Sequence, residues 1–114
     1  MERKIKWSLE FSRRLERLSR KSHKIDLDVE SFQREFDGRR LPGDQVRGIG
    51  GLPVKEHRMR DSSSNIGKRG GFRVYYYYED DLVLFLMVIR RNQLHTMSSQ
   101  LLQSILREEG FLDD

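Results

Sequence analysis

The chain has 114 residues, enough for one modest hydrophobic core and too few for two, so residues 1–114 are read as a single domain. Lysine and arginine number 22 against 18 aspartate and glutamate, a net charge of +4. The absence of cysteine excludes disulfides, thiolate metal sites and a cysteine nucleophile. The longest apolar run, Leu82 to Ile89, is far short of a membrane span, and no apolar signal core follows the charged Met1-Glu2-Arg3-Lys4. The expectation is a soluble protein of the cytoplasm with no membrane partner.

Ile5, Trp7 and Leu9 alternate with Lys6, Ser8 and Glu10, which predicts a short strand over roughly residues 3–8. Ser8 or Ser12 is placed to cap a helix whose inner face carries Leu15, Leu18 and Phe11, with the basic residues at 13, 14, 17, 20 and 21 turned mostly to water. A second helix is expected from Asp26 or Asp28, with Leu27, Val29, Phe32 and Phe36 as its apolar stripe and Gly38 as its left-handed stop. Leu41 to Asp44 reads as a turn and Gly48 to Pro53 as a glycine-rich loop. Val54 to Arg60 reads as a strand with Glu56, Arg58 and Arg60 on one face and His57 and Met59 on the other. Asp61 to Arg69 is polar and small, and is expected to be a mobile loop. Phe72 to Tyr78 and Leu82 to Ile89 then form a hairpin around Glu79-Asp80-Asp81. The second of these strands is apolar throughout, which implies burial on both faces. A closing helix carries Met97, Leu101, Leu102, Ile105 and Leu106 behind a cap at Ser98 or Ser99, and Gly110 ends it. The order β-α-α-β-β-β-α predicts an α+β fold. It is a small, antiparallel-rich sheet with an N-terminal helical hairpin and a C-terminal helix, the helices lying largely on one face.

Charge is concentrated in the middle of the chain. From Arg39 to Arg73 nine basic residues stand against three acids, +6, so the remainder sums to −2. Such a distribution fits a polyanionic partner: RNA, DNA or an acidic protein. Gly67-Lys68-Arg69-Gly70-Gly71-Phe72-Arg73 places a cationic glycine-rich segment against a rigid strand, a geometry suited to a phosphate backbone. Arg58, Arg60, Lys68, Arg69, Arg73, Arg90 and Arg91 could converge across an antiparallel sheet and grip one phosphodiester. Four consecutive tyrosines alternate, Tyr75 and Tyr77 to one face and Tyr76 and Tyr78 to the other. An exposed pair could stack on bases, whereas a buried pair would serve the core. His57 and His95 are candidates for proton transfer, as is Glu56, which is equally suited to pairing with Arg58 or Arg73. His23, between the first two helices, reads as solvated. No metal-ligand spacing, Walker loop or Ser-His-Asp elbow is present.

These residues together resemble the RelE/ParE superfamily of type II toxin–antitoxin toxins, its HigB-like and RelE-like members in particular. The resemblance rests on Phe11, Leu15 and Leu18 in the first helix; on Gly43, Asp44, Val46 and Gly48; on Arg58 at the end of a strand; and on the run Gly67 to Tyr76. Arg91-Asn92 and the serine-capped last helix complete it, so it spans nearly the whole chain. The resemblance implies a ribosome-dependent mRNA endoribonuclease that uses no metal or other cofactor, with the ribosome, mRNA and a cognate antitoxin protein as partners. It implies catalytic roles for Arg58, Arg73 and Arg91 and an RNA contact from Lys68; Arg60, Arg69, Arg90 and Tyr76 are further RNA-binding candidates from the basic cluster and the tyrosine run. Glu56 stands where relatives commonly carry lysine, and Arg91 likewise. Two alternatives remain open at this point: a ParE-like inhibitor of DNA gyrase, and an inactivated relative acting only as a binding partner.

Overall fold

The computed structural model describes residues 3–37, 39–64 and 70–113. Five strands form one mixed sheet: β1 (Lys4–Trp7), β2 (Asp44–Gln45), β3 (Val54–Met59), β4 (Phe72–Glu79) and β5 (Leu82–Arg90). They lie in the order β1-β5-β4-β3-β2. β1 runs parallel to β5, and the other neighbours are antiparallel. Three helices, α1 (Leu9–Ser19), α2 (Ile25–Gln33) and α3 (Ser99–Glu108), pack on the sheet, and Arg34–Phe36 and Arg91–Thr96 form 3₁₀ turns.

The helices do not share one face, which corrects the expected two-layer arrangement. β5 is buried from Leu82 to Ile89, so both of its faces need cover. α1 and α2 provide it on one side, where Phe11, Ile25 and Phe32 meet Val74, Tyr76 and Phe85. α3 provides it on the other, where Leu102, Ile105 and Leu106 meet Tyr75, Leu84 and Leu86. The result is three layers around a central sheet.

A bulge sets the phase of β5. The β4–β5 register jumps between Tyr75, opposite Met87, and Tyr76, opposite Phe85. Leu86 and Met87 consequently both face the α3 layer, and every later residue of β5 changes side. Ser8 holds the bulge: its Oγ donates to the Leu86 carbonyl at 3.0 Å while accepting from Phe11 N as the cap of α1.

The second helix starts differently from expectation. Its cap position is Lys24, with no side-chain cap, and Asp28 is instead buried as acceptor for Ser62 N and Oγ. Leu27, expected on the apolar stripe, is 59% exposed. The expected stop at Gly38 lies outside the described residues; the helix already tightens into the 3₁₀ turn at Arg34. Ser98 caps α3, and Gly110 ends it with φ 84°. Among the described residues no helix is long and apolar enough to cross a membrane.

Candidate nucleic-acid interface

The β3–β4 ladder places Arg58 directly opposite Arg73 and Glu56 opposite Tyr75. Tyr75 packs in the α3 layer, so strand alternation turns all four side chains toward that face. α3 covers Tyr75 and Tyr77 and stops short of Arg73. The uncovered end of the sheet becomes a depression of about 400 Å³, with Glu56, Arg58 and Arg73 inside it, Gly43 and Asp44 at one rim and Leu94 at the other. Gly43 has to be glycine: its φ is 99°, and a Cβ would collide with the Glu56 carbonyl oxygen.

Arg73 is the floor of this depression and only 5% exposed. Its Nε stands 3.7 Å from Glu56 Oε1, and its Nη1 donates to the Phe72 carbonyl at 3.4 Å. Burial lowers its pKa; repulsion from Arg58 and, more weakly, from Arg91 lowers it further, and Glu56 opposes them in part. Arginine nevertheless keeps its charge at any physiological pH. The site therefore holds a desolvated guanidinium among like charges, and an entering anion would relieve that repulsion. Among the described residues neither Arg58 nor Arg91 has a carboxylate at ion-pair distance, and both are exposed. Burial, and then the Glu56 carboxylate, raise the pKa of the Tyr75 hydroxyl, which therefore stays a neutral donor beside Glu56.

Two further depressions adjoin the first. One, also about 400 Å³, is lined by Asp61, Gly70, Gly71, Arg90, Arg91 and Asn92. The other, about 350 Å³, lies between Arg47, Tyr75 and the start of α3. Leu94, in the 3₁₀ turn after β5, borders all three and is the wall between Arg73 and Arg91. A Cβ on Gly71 would strike the Met59 carbonyl oxygen, so glycine is what lets the start of β4 close against the end of β3. Arg91 N then donates to the Gly71 carbonyl at 3.1 Å, which fixes the arginine beside that strand end.

The structure thus brings Arg58, Arg73, Arg91 and Glu56 together and separates several residues expected with them. Tyr76 is fully buried and its hydroxyl donates to the Pro42 carbonyl, so it has no surface to offer a base. The bulge turns Arg90 to the helical-hairpin side, where Nη2 donates to Ser22 Oγ at 2.6 Å, Nη1 lies 3.5 Å from Asp61 Oδ2 and the guanidinium covers the Phe72 ring. These ties hold the guanidinium in place, and Arg90 still lines the depression beside Arg91. His57 also lines the depression, but its ring alternates away from Arg58, stacking on Phe32 with Nε2 3.3 Å from Glu35 Oε1. Arg60 follows the end of β3 and lines a separate cavity beside α2 with Asp28, Phe32 and Glu35. His95 is exposed on the 3₁₀ turn and lines none of the three depressions.

Asp61 to Ser64, expected as mobile loop, form a bridge and turn in which Asp61 Oδ1 accepts from Ser63 N and Ser64 N. Lys68 and Arg69 lie outside the described residues. Sequence reasoning missed Leu94 and the two-residue strand β2. A lone leucine between polar residues and a two-residue pairing carry no periodicity to find. Among the described residues no group of three or more histidines and acids is placed to hold a metal ion. No protein-family model matches the chain, and no curated protein matches it.

Proposed function

We propose that this chain is the toxin of a type II toxin–antitoxin pair, of the RelE/ParE kind, and that its groove cleaves messenger RNA on the ribosome, in the cytoplasm. The observation that carries the reading is the cross-strand pair Arg58–Arg73, with Arg91 near enough to act on the buried Arg73 guanidinium. Such a set suits a phosphodiester passing through a doubly negative phosphorane. In the proposed step the ribose 2′-oxygen bonds to the adjacent phosphorus as the bond from phosphorus to the 5′-oxygen breaks. The products are a 2′,3′-cyclic phosphate and a 5′-hydroxyl. The 2′-OH proton passes to Glu56, the leaving oxygen takes a proton from water, and the hydroxide so formed takes the proton back from Glu56, restoring the carboxylate. Arg58, Arg73 and Arg91 carry the charge, and the step calls on no metal ion. Glu56 as base is supported by its place beside Arg73, 3.7 Å away, and by its partial exposure. The antitoxin is then a small protein that covers this groove with acidic or apolar side chains.

Induced expression followed by primer extension on cellular mRNA tests the reading. Codon-phased cuts are expected, and Arg73→Ala should lower their rate about 10²–10³-fold, the loss of about 2–4 kcal/mol of transition-state stabilisation. Growth arrest with intact mRNA and broken DNA would overturn the reading in favour of a gyrase inhibitor. No arrest would leave a binding partner without activity.

A further inference from the structure

The link between α1 and α2 carries a second cationic surface. From Arg17 to Ile25 the chain has Arg17, Arg20, Lys21 and Lys24 and no acid, and all four are exposed. Among the described residues only Arg17 of these four has a carboxylate at ion-pair distance, Glu10 at 3.9 Å. Arg13, Arg17 and Arg20 are spaced by four and three residues and extend the surface as one stripe along α1. A charged helix face is often merely solvated. What distinguishes this one is where the fold fastens it.

The buried Ser22 in the middle of the link accepts from Arg90 Nη2 at 2.6 Å, and Arg90 is the residue before Arg91. Lys24 N donates to Ser63 Oγ at 2.7 Å, and the neighbouring Asp61 lines the same depression as Arg91. The link is therefore tied to the end of the sheet where the groove opens. The opposite end of the β4–β5 hairpin carries Glu79, Asp80 and Asp81, so positive charge gathers at one end of the strands and negative at the other.

We propose that an RNA strand held in the groove continues past Arg91 and across the α1–α2 link, with Arg20, Lys21 and Lys24 contacting phosphates beyond the reacting pair. The inference rests on the proposed reading of the groove and names the substrate feature it selects: a chain extending well past the cut, rather than a short oligonucleotide. These contacts are to the backbone and carry no sequence preference.

The test uses the full chain and fluorescent 2′-O-methyl RNA, which lacks the attacking hydroxyl, in two lengths: a trinucleotide and a strand of about 12 nucleotides, within the span a single-strand groove tracks. The triple variant Arg20→Gln/Lys21→Gln/Lys24→Gln is compared with the native protein across salt. For the longer strand the slope of log affinity against log salt should fall by about 0.7 for each phosphate left without its cation, about 2 in all. The native protein's advantage should then shrink about 20-fold between roughly 50 and 200 mM salt. Trinucleotide affinity should be unchanged. An unaltered slope on the longer strand overturns the proposal, as does equal weakening on both lengths. Weakening only toward polyglutamate, which would mark an acidic protein partner instead, overturns it too. Arg73→Ala separates the two readings: it should lower mRNA cleavage about 10²–10³-fold yet keep most of the slope on the longer strand. If it cleaves normally, the groove assignment fails whatever the link does.

Discussion

The two faces of β4 come from one strand and end differently. Toward the helical hairpin it presents Phe72, Val74 and Tyr76, all fully buried under α1 and α2. Toward α3 it presents Arg73, Tyr75 and Tyr77, and a single helix reaches only the two tyrosines. The hairpin face is closed by two helices and Phe36; the α3 face runs out of cover at Arg73. The candidate site arises here because apolar cover stops one residue pair short, leaving a guanidinium on a rigid ladder in a low-dielectric surround. That is the setting in which a cation acts most strongly on a phosphate.

The largest expected effect lies on the closed face. Phe85 touches the rings of Phe11, Phe32 and Phe36 at centroid separations of 5.2 to 5.6 Å. Phe85→Ala should cost about 3–5 kcal/mol in chemical denaturation, because a cavity among rigid rings collapses poorly. A loss below about 1 kcal/mol would show that this face is not the structural one. Arg73→Ala, on the open face, should move the denaturation midpoint far less, since it also relieves repulsion with Arg58 and Arg91.

A smaller effect belongs to the seam between the faces. Gly71→Ala forces a methyl group against the Met59 carbonyl oxygen and the Asp61 amide, both backbone atoms. The cost should be about 1–3 kcal/mol. The start of β4 should also shift from β3, with loss of amide-exchange protection at Arg91, whose N–H bonds Gly71. Full protection at Arg91 in that variant would mean that Gly71 does not set its position.

How much of this was legible in the sequence divides along the same line. Element type and order followed from periodicity: Ser8 and Ser98 as caps, Gly110 as a stop, and the alternation of the four tyrosines all emerged where the residues pointed. That Arg58 and Arg73 could lie side by side in an antiparallel sheet is legible in the sequence; the register that sets them opposite each other is seen only in the fold. What escaped depends on single irregularities. One extra residue at Leu86 turns the Arg90 side chain toward Ser22, and no alternation rule contains it. Burial of a tyrosine against a particular carbonyl, or of Asp28 against Ser62, depends on distant segments that meet only in the fold. The expectation of helices on one side conflicts with a β5 that is apolar on both of its sides, a pattern that requires a layer from α3.

The smallest effect sharpens the comparison through pH. Tyr76 carries a hydroxyl into the closed face, where it is fully buried and donates to the Pro42 carbonyl. Near neutrality, Tyr76→Phe loses one hydrogen bond and should cost about 0.5–1.5 kcal/mol. Burial raises the Tyr76 pKa well above its ordinary value, so the fold keeps the proton while the unfolded chain releases it near pH 10. A group with a raised folded pKa contributes stability below the unfolded value and loses it as pH rises. At pH 11 the unfolded state gains about 1.4 kcal/mol from this one ionisation, and phenylalanine has none to gain. Denaturation curves of the two proteins should therefore converge near pH 11 and cross above it. Tyr75→Phe should also flatten the alkaline loss, because Tyr75 is raised by burial and by Glu56. Removing Glu56 should reduce that flattening and leave the Tyr76 crossover where it was. Parallel curves for Tyr76→Phe from pH 8 to 12 would mean that water reaches the hydroxyl, and that the closed face is open after all.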